Sequence, residues 1–255
     1  MQSMKKHLYI LTGASRGMGL AIAQQLLHTD HHLLCISRQS NGMLAEQAKS
    51  AKAELVQWQQ DLAQTSQAAA RLDVWLTAQS ATPWASVTLI NNAGVIAATV
   101  PLSAAESEHL AQALRVGLEA PLLLTAAFLR ATDSWTTQRR VLNISSGLGR
   151  RAMASQAAYG AAKAGMDHFT RCLALEETLK PYGAKVCSLA PGVIDTDMQT
   201  QLRAGNDKDF PDRQGFVNLK ANGQLTSPAE AAARVLTYLA RADFGSQPVA
   251  DAREI

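Results

Sequence analysis

The sequence predicts an α/β fold: one doubly wound parallel sheet with helices on both faces, in a single domain spanning residues 1–255. Three observations lead there. Short apolar runs of strand length alternate with longer stretches of helical periodicity along the whole chain. A glycine-rich turn, Thr12 to Gly19 (TGASRGMG), joins the first apolar run to the first helical stretch. No internal repeat or Pro/Gly/Ser-rich linker divides the chain, and 255 residues suffice for one substantial core.

Residues 7–12 (HLYILT) read as the first strand. The basic and apolar start of the chain runs straight into the glycine turn, not into a small-residue cleavage site, so it is read as a strand and not a secretory leader. Ile22, Ala23, Leu26 and Leu27 then repeat with helical spacing. Strand, glycine turn and helix in that order make a phosphate cradle: Gly13 for the tight turn, Gly17 for close backbone approach and Gly19 for helix–strand packing. The helix N-terminus adds unpaired N–H groups.

The second strand, His32 to Ser37, ends at Ser37-Arg38 with no acid to hold an adenosine 2′-hydroxyl. Arg38, together with Arg16 in the glycine turn, favours the 2′-phosphate of NADPH, although arginines also decorate ordinary strand ends. Residues 42–53 are helical, and Leu55 to Trp58 form a third strand. Asp61 fits either an acceptor for the adenine amino group or the N-cap of a helix from Leu62 to Ala78. Val87 to Ile90 are the fourth strand, followed by Asn91-Asn92-Ala93-Gly94. That segment lets a cofactor lie against the backbone, or is a plain turn, and its amides can tie neighbouring strands.

Residues 107–131 form a long helix, 139–145 the fifth strand and 156–180 a second long helix that Ser155 is expected to cap. Lys185 to Leu189 are the sixth strand, ending at Pro191-Gly192. Residues 195–225 are polar and irregular, and read as a substrate lid with one or two short helices. Ser227-Pro228-Ala229-Glu230 opens a further helix with a capping-box pattern, and residues 246–252 suit a short last strand.

Ser146 follows the fifth strand, thirteen residues before Tyr159, with Lys163 four residues further on. Tyr and Lys at i, i+4 share a helix face. An ammonium beside a phenol lowers the phenol pKa from its usual ~10 and suits it to proton transfer. A hydroxyl at the strand end can meet the tyrosine across a cleft and bond a substrate oxygen. Y-x-x-x-K also arises by chance. The glycine turn, Asn91–Gly94, Ser146 and Pro191-Gly192 all follow strand C-termini, where open α/β sheets bind ligands.

Other features exclude more than they indicate. No run of eighteen apolar residues suggests a membrane span. A net charge of +3 without a basic patch leaves no case for nucleic acid. Arg139-Arg140 and Arg150-Arg151 read as solvated or ligand-facing pairs, and the six histidines show no metal spacing. Cys35, Cys172 and Cys187 sit in apolar segments and read as buried free thiols in a reducing, cytoplasmic setting. The tryptophans read as core or cover residues.

In order along the chain, TGASRGMG, NNAG, the Ser146/Tyr159/Lys163 set and Pro191-Gly192 resemble the short-chain dehydrogenase/reductase family, and the resemblance spans essentially the whole chain. It implies a Rossmann-like seven-stranded sheet and nicotinamide-dependent hydride transfer. It makes Tyr159 the acid/base, Lys163 the group that binds nicotinamide ribose and lowers the tyrosine pKa, and Ser146 the orienter of the substrate carbonyl. It lines the NADPH/NADP+ site with Gly13, Ser15, Arg16, Gly17, Met18, Gly19, Ser37, Arg38, Asp61, Leu62, Asn92, Ala93, Gly94, Pro191, Gly192, Ile194, Thr196 and Met198. The C-terminal quarter resembles the sepiapterin reductase and bacterial benzil reductase branch, which implies Asp251 as a substrate anchor; a surface carboxylate is the plainer reading.

The expected reaction is reduction of a ketone or vicinal dicarbonyl by NADPH. Leu148, Met153, Met198, Phe210 and Phe216 offer an apolar substrate wall or simple lid packing. The family usually carries an asparagine in the long 107–131 helix, where this chain has Gly117. We expect relay water to fill the space and activity to survive. An NADP(H)-binding sensor or interaction protein with weak or lost catalysis is the alternative. The resemblance also implies a homodimer or homotetramer through the two long helices.

Overall fold

Strands β1 (Lys6–Thr12), β2 (His31–Ser37), β3 (Glu54–Gln59), β4 (Trp84–Asn91), β5 (Gln138–Ile144), β6 (Lys185–Ala190) and β7 (Val249–Asp251) form one parallel sheet in the order β3-β2-β1-β4-β5-β6-β7. The computed structural model describes residues 6–81 and 83–254, so the start of the chain read above as preceding the first strand lies outside the described residues. Strand order reverses between β1 and β4. The crevice beyond the C-terminal ends of such a pair is where doubly wound sheets hold ligands.

Alternation along the strands divides the core in two. Leu8 and Ile10 of β1 and Leu34 and Ile36 of β2 face one side, with Leu72, Leu124 and Phe128. Leu11, Leu33 and Cys35 face the other, with Ile22, Val235 and Leu239. The first layer is built by α3 (Thr65–Thr77), α4 (Ser107–Leu114), α5 (Ala120–Ala131) and α6 (Ala157–Thr178). The second is built by α1 (Gly17–Gln25), α2 (Gly42–Ala51) and α9 (Pro228–Ala240), and α7 (Asp197–Arg203) and α8 (Arg213–Ala221) are the two short helices expected within residues 195–225. Residues Ser107–Ala131 are long and apolar enough to cross a membrane by composition, but Ala120, Leu124, Ala127 and Phe128 are buried within the protein, as in a core helix.

Several local expectations are corrected. The helix after β3 starts at Thr65 and not at Leu62, because Asp61 Oδ1 accepts from the Ala63 N–H at 2.9 Å and closes a turn instead of capping a helix. Ser155 does not cap α6: it lies in the left-handed region at φ 59°, and its hydroxyl donates to the lid carbonyl of Asp209. Arg139 is buried, not solvated, with Nη2 donating to the Tyr182 carbonyl at 2.8 Å and lying 3.7 Å from Glu177. Cys172 is exposed, whereas Cys35 and Cys187 are buried. The capping box at Ser227 and Glu230 forms as its spacing suggests.

The 107–131 helix contains a π turn at Arg115–Glu119, centred on Gly117. Gly117 and Leu118 there meet Ala162 and Gly165 of α6: a Cβ on Gly117 would lie 3.1 Å from that of Ala162, and one on Gly165 would lie 2.9 Å from Leu118 Cδ2. A side chain at 117 would therefore start in tight contact with Ala162 of α6.

Candidate active site

A cleft of about 660 Å³ runs along the C-terminal edge of the sheet. Its first wall is the glycine turn. Gly13 and Gly17 have φ of 72° and 56°, a region that disfavours side chains. At Gly19 a Cβ would sit 2.0 Å from the Gly13 carbonyl oxygen, so only glycine allows α1 to start there. Thr12 Oγ1 accepts from Asn92 N at 2.9 Å and Ala93 N at 3.0 Å, and Asn92 Nδ2 donates to the Thr12 carbonyl at 2.9 Å. These bonds clamp the two turns at the switch point. Asn91 Nδ2 donates to Asn143 Oδ1 at 2.8 Å, tying β4 to β5 as its amide suggested.

At the end of β2, Ser37 Oγ accepts from Ala14 N at 2.9 Å. Asn41 caps α2 through Leu44 N and donates to the Ser15 carbonyl at 3.1 Å. Arg38 lies between these anchors, exposed on the cleft wall, and among the described residues it has no hydrogen-bond or ion-pair partner. Arg16 is engaged instead: its Nη1 bonds lid Asp197 at 2.8 Å. Both side chains of that pair are exposed, so it adds ~1 kcal/mol at most.

Ser146, Tyr159 and Lys163 sit where β5 and α6 meet. Ser146 Oγ accepts from Leu148 N at 3.2 Å. Burial raises the Tyr159 phenol pKa, and a hydrogen bond with Ser146 acts against that rise. The ammonium expected to lower the phenol is otherwise engaged: Lys163 Nζ donates to the Ile144 carbonyl at 2.7 Å and lies 5.7 Å from the Tyr159 ring centroid. Burial brings Lys163 down to about 8, with Asp167 opposing. Asp167 is itself buried, accepting from Ser145 Oγ at 2.6 Å and Ser188 Oγ at 2.7 Å, and so joins α6 to β5 and β6. A phenol and a serine hydroxyl converging on one cleft wall can donate to a single substrate oxygen.

The sequence pattern of short chain dehydrogenase proteins matches residues 7–207. The chain belongs to the short-chain dehydrogenase family. It is 36% identical to a benzil reductase ((S)-benzoin forming) of Bacillus cereus, over 92% of this chain and 94% of that one. It is 32% identical to the sepiapterin reductase of Mus musculus, over 93% of each. A short-chain dehydrogenase/reductase from Burkholderia vietnamiensis superposes with a TM-score of 0.64 at 31% identity, covering 99% of this chain and 100% of that one.

Within this short-chain dehydrogenase, the cleft gathers almost every residue singled out from the sequence. From the nucleotide set, Gly13, Ser15, Arg16, Gly17, Met18, Gly19, Ser37, Arg38, Asp61, Leu62, Asn92, Ala93, Gly94, Pro191, Gly192, Ile194, Thr196 and Met198 line it. So do Ser146, Leu148, Met153, Tyr159, Lys163 and Phe216. Asp251 does not. Its carboxylate is buried and bonds Arg253, with Nε–Oδ1 at 2.9 Å and Nη2–Oδ2 at 2.6 Å, and Arg253 is the residue that reaches the cleft. Phe210 is likewise absent from the wall, fully buried and stacked on Phe216 at 5.6 Å.

Sequence reading missed Gln112, Val116, Gln156 and Arg253 as cleft residues, whereas Arg151, read as solvated or ligand-facing, lines the cleft. Gln156, next to the start of α6, and Arg253, two residues past Asp251, were findable by position. Gln112 and Val116 needed the π turn. The sequence reading also missed one His/Asp group: ligand atoms of His28, Asp30 and His31 lie within 4.8 Å of one another, away from the cleft. Asp30 pairs with both imidazoles, and His31 Nδ1 bonds the Leu26 carbonyl at 2.8 Å, so ordinary hydrogen bonding accounts for the grouping.

Proposed function

We propose that the protein is an NADPH-dependent carbonyl reductase acting on a ketone or vicinal dicarbonyl. The observation that carries this reading is the convergence of Ser146, Tyr159 and Lys163 on a cleft whose other end displays Arg38 without a partner and without an acid at the end of β2. An unpaired guanidinium beside a glycine cradle fits a nucleotide with a 2′-phosphate. The names of the benzil and sepiapterin reductases that the chain resembles support a dicarbonyl substrate.

NADPH, when bound, supplies the hydride. The chain's residues do the rest. The glycine turn and the α1 N-terminus receive the pyrophosphate, and Lys163 holds the nicotinamide ribose. Ser146 donates its proton to the carbonyl oxygen and so fixes the reacting face. Tyr159 transfers its proton to that oxygen as negative charge develops there, where positioned donors lower the barrier most. Burial keeps the phenol protonated near neutral pH, the form that a reduction needs. Leu148, Met153 and Phe216 exclude water from the aryl side of the substrate.

A nucleotide-binding sensor with weakened chemistry has only Gly117 in its favour. A cytoplasmic homodimer or homotetramer fits the reading, with exposed Leu122 on α5, Leu175 on α6 and Leu179 just past the end of α6 available for contact. The test is an NADPH-oxidation screen with benzil, sepiapterin and other vicinal diketones, run beside NADH. Turnover with NADPH preferred is the expected result; no turnover of any carbonyl at micromolar enzyme would contradict the proposal.

A further inference from the structure

Two guanidinium groups, those of Arg151 and Arg253, line the cleft, and Asp251 orients the second. Asp251 spends its charge on Arg253: besides the two side-chain bonds, it accepts from the Arg253 backbone N–H at 3.0 Å. Arg150 Nη1 adds a contact to Asp251 at 3.9 Å while its Nη2 bonds the Ala250 carbonyl at 2.8 Å. A carboxylate so surrounded has a depressed pKa, Arg253 being the largest cause, and remains ionised and committed.

Arg253 is aligned from a second side. Its Cγ and Cδ lie 3.6 and 3.7 Å from where a Cβ of Gly192 would stand, so the arginine stem runs alongside the turn after β6. Two of its five N–H donors bond Asp251, and the others remain for a ligand. Arg151 lines the same cleft just beyond Gly147 and Leu148; its backbone N–H donates to the Gly147 carbonyl at 3.0 Å, and among the described residues its side chain has no hydrogen-bond or ion-pair partner. Of these two cations only Arg253 is charge-paired among the described residues, with Asp251, and none of the carboxylates that line the cleft bonds either side chain. Asp195 pairs with Lys220 and Asp197 with Arg16, while Asp61 sits past the end of β3, on the nucleotide side.

We propose that Arg151 and Arg253, the latter aligned by Asp251, form an anion-binding wall at the substrate end, and that the cleft selects carbonyl compounds bearing a carboxylate close to the reacting carbonyl, such as aryl oxo acids. This rests on the carbonyl-reductase reading above. Arg151 and Arg253 are then specificity-determining residues. The apolar side chains Leu148, Met153 and Phe216 take the aryl group, and the guanidinium pair takes the acid.

The test separates anion binding from turnover. Calorimetric titration of the NADP+-saturated full-length enzyme uses benzoate and its neutral isostere benzamide. The same titrations on Arg151→Gln and Arg253→Gln follow, with benzil and 2-oxo-2-phenylacetate turnover measured in parallel. The wall predicts that benzoate binds at least tenfold tighter than benzamide, and that each substitution cuts that ratio about tenfold. It also predicts that the kcat/KM ratio of oxo acid to benzil falls in both variants, through KM. Exposed Arg151 keeps the test valid if Arg253→Gln disturbs the chain end. Equal binding of benzoate and benzamide, or an unchanged ratio in Arg151→Gln, overturns the inference even if benzil is reduced. Selective benzoate binding with no carbonyl turned over supports the wall and counts against the reductase reading.

Discussion

Lys163 Nζ donates to the carbonyl oxygen of Ile144 at 2.7 Å. The bond ties α6 to the last residue of β5, two positions before Ser146, and thereby sets Ser146 and Tyr159 at a fixed separation. It also means that the ammonium is positioned by strand backbone, with the tyrosine ring 5.7 Å away. The lysine's protonation, and not only its reach, is part of the site's design.

That protonation has a measurable signature. Burial holds Lys163 at about 8, below its ordinary 10.5. Between those values the unfolded chain binds more protons than the folded one, so stability attributable to Lys163 rises with pH across that window. Below it, the folded protein bears the full cost of a buried ammonium. Urea unfolding without added nucleotide should therefore show the wild type gaining on Lys163→Met from pH 8 to 10.5, by up to roughly 3 kcal/mol. A difference that stays flat with pH would refute the assignment.

Arg38 should set nucleotide choice. A charge-assisted hydrogen bond contributes ~1.5–3 kcal/mol. Arg38→Ala is expected to raise the Kd for NADPH by roughly ten- to a hundredfold and to leave that for NADH nearly unchanged. Fluorescence titration with both nucleotides checks this, and equal losses for the two would contradict it.

Gly117 makes a packing prediction. Since a Cβ there would stand 3.1 Å from Ala162, the residue before Lys163, an asparagine needs that contact on α6 to give by a few tenths of an ångström. Gly117→Asn should lower kcat several-fold, with NADPH affinity little changed. A rise in turnover of orders of magnitude at unchanged affinity would show that the missing amide, and not the close helix contact, governs this site.

The sheet and the cleft were legible because buried parallel strands read as apolar runs and each ends in a turn residue with a distinct steric role: Gly13, Asn92, Ser146, Gly192. The Ser146–Tyr159–Lys163 set was legible for the same reason, since strand end and helix spacing fix its geometry. What escaped depended on partners far away in sequence. Ser155 resembles an N-cap but gives its hydroxyl to Asp209 across the lid. Arg139 resembles a solvated cation, yet Glu177 and the Tyr182 carbonyl draw it into the core. Asp251 resembles a ligand anchor, yet a residue two positions on takes its charge. The π turn around Gly117 left no periodicity signal, because one widened turn barely shifts the apolar stripe.

The central claim is that Tyr159 delivers the proton in an NADPH-dependent carbonyl reduction. Single-turnover NADPH oxidation with a vicinal diketone, comparing wild type with Tyr159→Phe, tests it most directly. The account predicts that the variant binds NADPH with unchanged affinity and loses nearly all turnover, on the order of a hundredfold or more. Near-wild-type turnover in Tyr159→Phe would contradict it.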